Sequence, residues 1–409
     1  MEGLLTDLYE LTMAAGYFAA GKTREVATFE IFLRRLPRNR DFVIVAGIAD
    51  AVSALRSLHF TAAHIDYLRS LPQFERAQPG FFEYLAAFRF TGDVWAVPEG
   101  TTLFAGEPVM TVRAPIIEAQ IPETFLLSTV TFQTLIATKA ARMVRAARGR
   151  PVVEFGTRRA HSPHAGVLGA RAAYLGGCAG TSNTLAGFRY GIPVMGTAAH
   201  SWVMAFAGET DAFRRLQELL GPHTVHLVDT YDAIEGTRRA ASLGRPLWGV
   251  RIDSGDFDSL SRAARAILDQ AGLPDAKIMA SGDLDERRIL ELVEGGAPID
   301  AFGVGTELAT SQDAPAMGAV YKLVEIEGRP TAKRSPDKAS LPGAKQIFRF
   351  PDRDVVGLAS EPVPEGAEAL LKPAPSTLDL PAARTRAATP AAPRRVEYSE
   401  ALKSLAERC

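Results

Sequence analysis

The sequence predicts an α/β protein in which parallel strands, buried on both faces, follow a segment of mixed helix and strand. Six short apolar runs recur after Arg150, and a helical stretch follows most of them. Apolar runs that do not alternate with polar residues are typical of parallel strands covered by helices. The length of 409 residues is about twice that of a common domain, which favours two domains or one large domain with an appended one.

Residues 1–118 are expected to form an α+β domain. Residues 7–21 have the spacing of an amphipathic helix. Residues 27–35 combine aromatic and branched side chains, which is typical of a strand. Residues 41–58 predict a strand, a glycine turn and a helix, and residues 90–115 predict short strands interrupted by Gly and Pro.

Residues 119–330 are expected to form the parallel-stranded domain, which starts with one or two long helices over residues 121–147. Each of the six apolar runs ends in a polar tail. Ligands bind at the carboxyl ends of the strands in parallel sheets and barrels, so the tails are expected to surround one mouth. The tails are EFGTRR (154–159), GTAAHS (196–201), VDTYD (228–232), RIDSGD (251–256), ASGDLD (280–285) and GVGTEL (303–308).

Residues 331–409 differ from the rest in composition. Residues 333–350 are basic and contain turn-forming Pro and Gly, and residues 399–409 predict a short helix. Residues 361–395 are rich in Ala and Pro and lack periodicity, which predicts extended, irregular chain on the surface.

The composition indicates a soluble globular protein and argues against several function classes. Hydrophobic residues make up 47% and charged residues 23%, and the net charge is −1, so a general nucleic-acid or membrane-surface binder is not expected. The two cysteines, Cys178 and Cys409, are too few for a disulfide framework and suit a reducing cytoplasm. Neither a signal peptide nor an apolar run long enough to span a membrane is recognisable, so we expect a cytoplasmic protein.

Glycine-bearing tails predict phosphate binding. Gly303 and Gly305 let backbone N–H groups approach an anion, and Thr306 adds a hydroxyl near a helix start. The tripeptide SGD occurs at 254–256 and at 281–283. The alternative for each glycine taken singly is simple turn geometry, but several such turns around one mouth suit a sugar phosphate.

Charged residues in two tails predict anion and ribose contacts. Arg251 can make a forked contact to phosphate or carboxylate, and Asp253 can hold ribose hydroxyls or magnesium; the alternative is a structural Arg251–Asp253 pair. Phe155 with Arg158 and Arg159 suits a flat anionic ring.

Histidines occur in two of the tails or close to them. His161 and His164 have no third ligand nearby and are interpreted as structural or loop residues. His200 follows Thr197 and two alanines where an apolar run ends. It is either a core histidine or a phosphoryl acceptor, and Asp229 at the end of another run is expected to orient its ring.

Eight ordered segments between residues 3 and 350 resemble nicotinate phosphoribosyltransferase, and more distantly nicotinamide phosphoribosyltransferase and the barrel of quinolinate phosphoribosyltransferase. The resemblance implies an irregular α/β barrel of the type II phosphoribosyltransferase kind. It also implies a second α+β domain formed by N-terminal and C-terminal segments, with residues 331–409 packing back on the N-terminal domain. The segments are TDLYELTMAAGYF, ATFEIFLRRLP, EFGTRRAHSP, GTSNTLAGFRYGIPVMGTAAHSWV, RIDSGDF, ASGDLDE, DAFGVGTEL and SPDKASLPGAKQIFR.

The family's reaction joins nicotinate to 5-phosphoribosyl 1-pyrophosphate and yields nicotinate mononucleotide and pyrophosphate. The resemblance implies ATP as a co-substrate, transient phosphorylation of His200, Mg²⁺ with the pyrophosphate but no dedicated metal cage, and a homodimer with shared active sites. Tyr9 matches a tyrosine that contacts nicotinate from the neighbouring subunit, and Phe155 matches a ring-stacking residue. The other matched substrate-binding positions are Arg158, Thr197, Arg251, Asp253, Gly282, Asp283, Gly305 and Thr306.

The charges favour nicotinate over nicotinamide as substrate. Two cations in residues 154–159 suit a carboxylate, and the stretch GTSNT (180–184) lacks the aspartate with which the nicotinamide enzyme holds its amide. Two alternatives stay open at this point: transfer of nicotinamide or quinolinate, and a catalytically silent homologue that senses sugar phosphates.

Overall fold

The computed structural model describes residues 1–37, 39–335, 338–389 and 394–409. The chain forms two compact units, one of Met1–Leu135 with Ala316–Cys409 and one of Ile136–Pro315. The helices are α1 (Leu8–Ala19), α2 (Ile48–Arg56), α3 (Ala62–Ser70), α4 (Pro79–Ala86), α5 (Ile116–Gln120), α6 (Glu123–Ala146), α7 (Pro163–Leu175), α8 (Thr184–Tyr190), α9 (His200–Met204), α10 (Glu209–Leu220), α11 (Ala233–Ser242), α12 (Phe257–Gln270), α13 (Glu286–Glu294), α14 (Thr306–Ala309), α15 (Leu380–Ala388) and α16 (Glu400–Arg408).

The strands fall into a few sheets within the two units. They are β1 (Val26–Arg35), β2 (Val43–Ile44), β3 (Asp93–Ala96), β4 (Thr102–Leu103), β5 (Pro108–Pro115), β6 (Val152–Glu154), β7 (Gly180–Thr181), β8 (Val225–Leu227), β9 (Gly249–Ile252), β10 (Lys277–Ser281), β11 (Ala301–Val304), β12 (Gly318–Ile326), β13 (Arg329–Pro330), β14 (Lys345–Arg349), β15 (Arg353–Leu358), β16 (Glu368–Ala369), β17 (Lys372–Pro373) and β18 (Arg395–Tyr398). The strand predicted over 27–35 and the long helix predicted over 121–147 are confirmed as β1 and α6.

The first unit is built on an antiparallel sheet in the order β13-β12-β1-β5-β3-β17. Phe29, Ile31 and Leu33 of β1 are buried in its hydrophobic core. Successive side chains of a strand point to opposite faces, so Glu30 lies on the other face, where its buried carboxylate is 2.8 Å from Lys345 Nζ of β14. A second sheet, in the order β16-β14-β15-β18, belongs to the same unit.

Strand pairing explains one of the two divisions between the units, the one after Pro315. The divisions lie after Leu135 and Pro315, whereas the sequence places them after residues 118 and 330. β12 pairs antiparallel with β1 along most of its length, which joins residues 318–326 to the first unit. Such a long-range pairing is not visible in a local sequence pattern.

The second unit contains a parallel sheet in the order β7-β6-β11-β10-β9-β8, which confirms the predicted α/β class. Five of the six predicted runs are strands, and the run before residue 196 contributes only a bridge between Val194 and Thr181. Strands β7 and β8 lie at the two ends of this sheet, and among the described residues no hydrogen-bonded pairing joins them. The six strands therefore do not close into a complete barrel. Val153, Phe155, Met279 and Ala301 pack together in a hydrophobic cluster.

The expectation of irregular chain over residues 361–395 is wrong in part. This segment contains β16, β17 and helix α15, while residues 390–393 lie outside the described part of the chain. The Asp379 side chain caps α15 by accepting a hydrogen bond from the Ala382 N–H at 3.0 Å. Leu380, Ala383 and Ala387 are buried on one face of this helix. Alanine favours helix and proline is tolerated in the first turn, so this composition is compatible with a helix.

None of the described helices is both long and apolar enough to cross a membrane.

Candidate active site

Five of the six predicted polar tails line a cleft in the second unit, whereas the tail at 228–232 contributes none of its described lining residues. One part, of about 460 Å³, is lined by residues that include Thr197, His200 and Ser182. An adjoining part, of about 200 Å³, is lined by the glycine turns. Phe155, Arg158, Arg251 and Asp253 line both parts. The predicted gathering of tails at one mouth is therefore confirmed for these residues.

His200 opens into the larger part of the cleft. It is the first residue of α9, and 42% of its side chain is exposed. Its Nδ1 lies 3.1 Å from Thr230 Oγ1, and its Nε2 lies 3.7 Å from Asp253 Oδ2. This exposure contradicts the alternative that His200 is a core histidine. His226, by contrast, is completely buried, and burial disfavours its charged ring and lowers its pKa to about 4.

Asp229 does not orient His200 in this structure, contrary to the prediction. Its Oδ2 accepts hydrogen bonds from the Asp253 N–H at 2.9 Å and from Ser254 Oγ at 2.8 Å. The carboxylate therefore ties down the loop after β9, and Thr230, the next residue along, takes the position beside the imidazole. The loop conformation determines whether Asp229 or its neighbour Thr230 faces the imidazole, and the sequence alone does not show that conformation.

Arg251 and Asp253 form the structural pair that the sequence left open. The Arg251 guanidinium donates to Asp253 Oδ1, to Ser281 Oγ at 2.6 Å and to Thr197 Oγ1 at 2.7 Å. Burial alone would raise the pKa of Asp253, but the adjacent guanidinium and the hydrogen bond from Ser281 outweigh it and lower the pKa. Arg251 thus holds three tails together and keeps Asp253 ionised.

Phe155 forms the wall between the two parts of the cleft. Its ring is buried, and the Arg251 guanidinium lies 5.6 Å from the ring centroid. A Cβ at Gly303 would lie 2.6 Å from two carbons of this ring, so only glycine at position 303 leaves room for it. Next to Phe155 in the chain, the buried Glu154 carboxylate accepts hydrogen bonds from the Gly156 N–H and Thr181 Oγ1, and burial raises its pKa.

Two glycine turns and two arginines form the smaller part of the cleft. Gly282 has φ +93°, and a Cβ there would lie 2.0 Å from the Asp253 carbonyl oxygen. Asp283 also adopts positive φ, at 45°. Gly305 and Thr306 belong to the second turn, and Arg158 and Arg159 complete the lining. Backbone N–H groups at such turns, with two cations, suit a phosphate or diphosphate.

A buried lysine supports both turns, although no feature of the sequence predicts it. Lys139 Nζ lies 2.6 Å from Glu286, 2.9 Å from Asp313 and 3.6 Å from Glu307. Glu286 begins α13 and Glu307 lies in α14, the helices that follow the two turns. Lys139 sits in α6, far away in sequence, and no local motif marks it.

Other residues of the site were also not predicted, although two of them lie inside predicted tails. Ser281 lies in the ASGDLD tail and Thr230 in VDTYD, so the hydroxyls within the tails were the available signal.

His161 and His164 are exposed at the start of α7. Within the described residues, no group of three His, Cys, Asp or Glu side chains is placed to hold a metal ion.

Tyr9 belongs to the first unit, so its predicted contact with substrate stays a prediction. It lies in α1 with 48% of its surface exposed. The pKa of Tyr9 is raised, mainly by partial burial and to a smaller extent by a hydrogen bond with Glu10. The hydroxyl therefore stays protonated and can donate a hydrogen bond.

Comparison with known proteins gives consistent matches. The family model described as nicotinate phosphoribosyltransferase N-terminal domain matches residues 4–131, and that of the nicotinate phosphoribosyltransferase family matches residues 151–349. Nicotinate phosphoribosyltransferase pncB2 of Mycobacterium tuberculosis is 50% identical over 352 residues, covering 85% of this chain and 75% of the relative. The Bacillus subtilis nicotinate phosphoribosyltransferase is 45% identical over 360 residues, covering 85% and 73%.

Solved structures agree in fold. The crystal structure of human nicotinic acid phosphoribosyltransferase matches with a TM-score of 0.83 and 29% identity, covering 98% of this chain and 99% of that one. The nicotinate-nucleotide pyrophosphorylase of Pyrococcus furiosus matches with a TM-score of 0.77 and 28% identity, covering 94% of each chain. The fold is thus of the type II phosphoribosyltransferase kind.

Proposed function

This chain belongs to the nicotinate phosphoribosyltransferase family, and we propose that the cleft of its second unit joins nicotinate to 5-phosphoribosyl 1-pyrophosphate in NAD biosynthesis. The observation that carries the assignment of the site is the shared lining. Phe155, Arg158, Arg251 and Asp253 connect the part that holds His200 with the part formed by the glycine turns.

Nicotinate fits the wall at Phe155. Its ring would lie against the phenyl ring, and its carboxylate would face Arg158, whose Nη1 already donates to the Phe155 carbonyl oxygen at 3.1 Å. Selection against nicotinamide follows from the lining: Ser182 faces the cleft, while the Asn183 amide caps α8 and binds Thr157. A carboxylate beside an arginine is favoured over a neutral amide.

The phosphorylated sugar fits the glycine turns. Gly282, Asp283, Gly305 and Thr306 would receive its phosphate groups, and the ionised Asp253 would hold ribose hydroxyls. Thr197 completes the contact through the hydroxyl that Arg251 already orients. Because these groups are fixed before the sugar binds, little reorganisation opposes binding.

The bond-forming step requires no protein nucleophile. The pyridine nitrogen of nicotinate attacks ribose C1, the bond from C1 to the diphosphate oxygen breaks, and its electron pair leaves with pyrophosphate. Positive charge develops at C1 and negative charge on the leaving group, so fixed arginines and N–H groups lower the barrier. Arg159 and the glycine turns, which line the smaller part of the cleft, would supply these groups to the leaving pyrophosphate.

His200 is proposed as the phosphoryl carrier that couples the reaction to ATP. When Nδ1 carries the ring proton and donates a hydrogen bond to Thr230 Oγ1, at 3.1 Å, Nε2 presents a lone pair to the cleft. Nε2 attacks the γ-phosphorus of ATP, an N–P bond forms and ADP leaves; water later hydrolyses the phosphohistidine to phosphate. Asp229 acts indirectly, by fixing the loop that carries Asp253.

Magnesium is compatible with the residues present. Mg²⁺ in phosphate sites commonly takes one or two carboxylates and several substrate oxygens. Asp229 Oδ1 is buried without a hydrogen-bond partner among the described residues, and Asp253 adds a second carboxylate. When bound, the ion would neutralise charge on the diphosphate leaving group.

We further propose a homodimer in which Tyr9 of the partner subunit closes the nicotinate site. The exposed position of this residue on α1 leaves it available for the contact.

A cytoplasmic location is expected, since Cys178 and Cys409 are both free thiols.

The direct test is product formation by purified protein given nicotinate, 5-phosphoribosyl 1-pyrophosphate, Mg²⁺ and ATP. Nicotinate mononucleotide should form, and omission of ATP should slow it. Replacing nicotinate by nicotinamide or quinolinate should give little product. Absence of any product from nicotinate, with the sugar phosphate still bound, would favour a silent sugar-phosphate sensor.

A further inference from the structure

A second cavity, of about 420 Å³, lies in the first unit against the antiparallel sheet. This volume is within the range of small-molecule sites. We infer that this cavity binds a small aromatic carboxylate, with the carboxylate on Arg113 and the ring beside Trp95. None of its lining residues belongs to the cleft of the second unit, so binding here does not depend on the proposed function.

Strand register places the key side chains side by side. Arg113 of β5 lies opposite Thr28 of β1, and Thr28 lies opposite Glu325 of β12. Trp95 of β3 lies opposite Thr111 of β5. Residues two apart on a strand share a face, so Thr111 and Arg113 project from the same side. The sheet thus presents a cation, a hydroxyl, a carboxylate and an indole to one cavity.

Arg113 is the cation with unused donors. No hydrogen bond or ion pair of its guanidinium occurs within the described part of the chain, and its side chain is exposed. The other two cations of the lining are already engaged: Lys345 Nζ is 2.8 Å from the Glu30 carboxylate, and Lys372 Nζ is 2.7 Å from Glu368. A ligand carboxylate can therefore take a forked hydrogen bond from Arg113.

Thr111 adds unused hydrogen-bonding capacity at the same place. Only 5% of its surface is exposed, and its Oγ1 has no partner among the described residues. Buried hydroxyls without a partner are uncommon because losing hydration costs free energy. A polar ligand atom would satisfy it.

The rest of the lining favours a flat apolar group. It includes Leu371 and Pro373 with three alanines, at positions 344, 359 and 369. Small side chains near the half-buried Trp95 leave room for a ring, and ring pairs gain from offset stacking. Glu325 accepts an N–H donor on the ring but disfavours a second anionic group, so a monocarboxylate fits better than a dicarboxylate.

The test measures binding of 2-naphthoate and its neutral counterpart 2-naphthamide to the full-length protein by ligand-observed NMR and calorimetry. Binding is measured to the wild type and to Arg158→Gln, which removes from the cleft the arginine proposed to face a carboxylate. We expect 2-naphthoate to bind the wild type and Arg158→Gln equally. We expect 2-naphthamide to bind about tenfold more weakly, as for loss of a charge-assisted hydrogen bond.

Variants locate the binding. Arg113→Gln should weaken 2-naphthoate about tenfold, and Thr111→Val should weaken it several-fold, roughly the effect of one neutral hydrogen bond. The matched control Arg56→Gln, an exposed arginine of α2 in the same unit, should leave it unchanged. Absence of binding, a weakening by Arg158→Gln as large as that by Arg113→Gln, or equal binding to wild type and Arg113→Gln would each overturn the inference. None of these outcomes depends on the kinetics of nicotinate transfer.

Discussion

Replacing Gly303 by alanine is a sharp test of how the wall of the cleft is built. The added Cβ would lie 2.6 Å from the Cδ2 and Cε2 atoms of Phe155 and 3.1 Å from Ser281 Cβ. Packed carbon atoms normally lie about 3.5–4.0 Å apart, so the ring must move by about 1 Å. The ring borders the cleft, so this movement takes it into the space where the nicotinate ring would lie.

We expect Gly303→Ala to lower both the free energy of unfolding and the catalytic efficiency. Overpacking of this kind commonly costs about 1–3 kcal/mol of folding free energy. A displacement of about 1 Å at a positioning group can lower kcat/KM by about 100-fold. We therefore expect Gly303→Ala to remain folded, with a lower Tm and a kcat/KM for nicotinate reduced by about ten- to 100-fold.

The assay combines thermal unfolding with steady-state kinetics for nicotinate. Gly208→Ala is the matched control, because a Cβ there meets no atom within 4 Å and the residue lines neither part of the cleft. A second variant, Gly303→Ala with Phe155→Leu, should recover stability relative to the sum of the single changes, since the clash is removed. Wild-type kcat/KM in Gly303→Ala would refute the proposed position of the nicotinate ring.

Three further predictions concern the carrier, the buried lysine and a buried acid. His200→Ala should abolish stimulation by ATP while slow transfer without ATP persists; an unchanged response to ATP in coupled assays would contradict the carrier role. Lys139→Met removes the buried cation that three carboxylates share, and it should cost about 3–5 kcal/mol of unfolding free energy and raise KM for the sugar phosphate. The control Lys277→Met, in an exposed 3.4 Å pair, should cost at most about 1 kcal/mol. Equal effects of the two changes in denaturant titrations would refute the role of Lys139. Burial, reinforced by the nearby Asp354, raises the pKa of Glu107 from 4.5 to about 9. Between these two pH values the folded state binds one proton more than the unfolded state, so stability falls as pH rises. Glu107→Gln should flatten this fall, and a Tm difference from wild type that is the same at pH 5 and pH 8.5 would show that Glu107 is not the cause.

The sequence predicts which side chains line the cleft better than it predicts how the strands pair and where the units divide. Tails after apolar runs place Phe155, His200, Arg251 and Gly305 at one mouth, because parallel strands put their carboxyl ends at the same edge. The two-residue strand β7 was not predicted, since so short a strand leaves no periodicity to detect. The division after Pro315 also depends on a pairing between residues about 300 positions apart in the chain, β1 with β12.

Partners of polar side chains are the least predictable part. Asp229 and Thr230 are adjacent in sequence, and only the loop conformation decides that Thr230 meets the imidazole while Asp229 holds the next loop. Lys139 is surrounded by acids from three separate positions, which no spacing rule connects. Helix α15 was not predicted because proline and alanine together suggest irregular chain, although proline is well tolerated in the first helical turn.

The most direct measurement is the site of phosphorylation after reaction of the full-length protein with γ-labelled ATP, read by mass spectrometry and phosphorus NMR. We predict an acid-labile phosphoryl group on Nε2 of His200, discharged when nicotinate and 5-phosphoribosyl 1-pyrophosphate are added. Stoichiometric ADP release and nicotinate mononucleotide formation with no label at position 200 would contradict it.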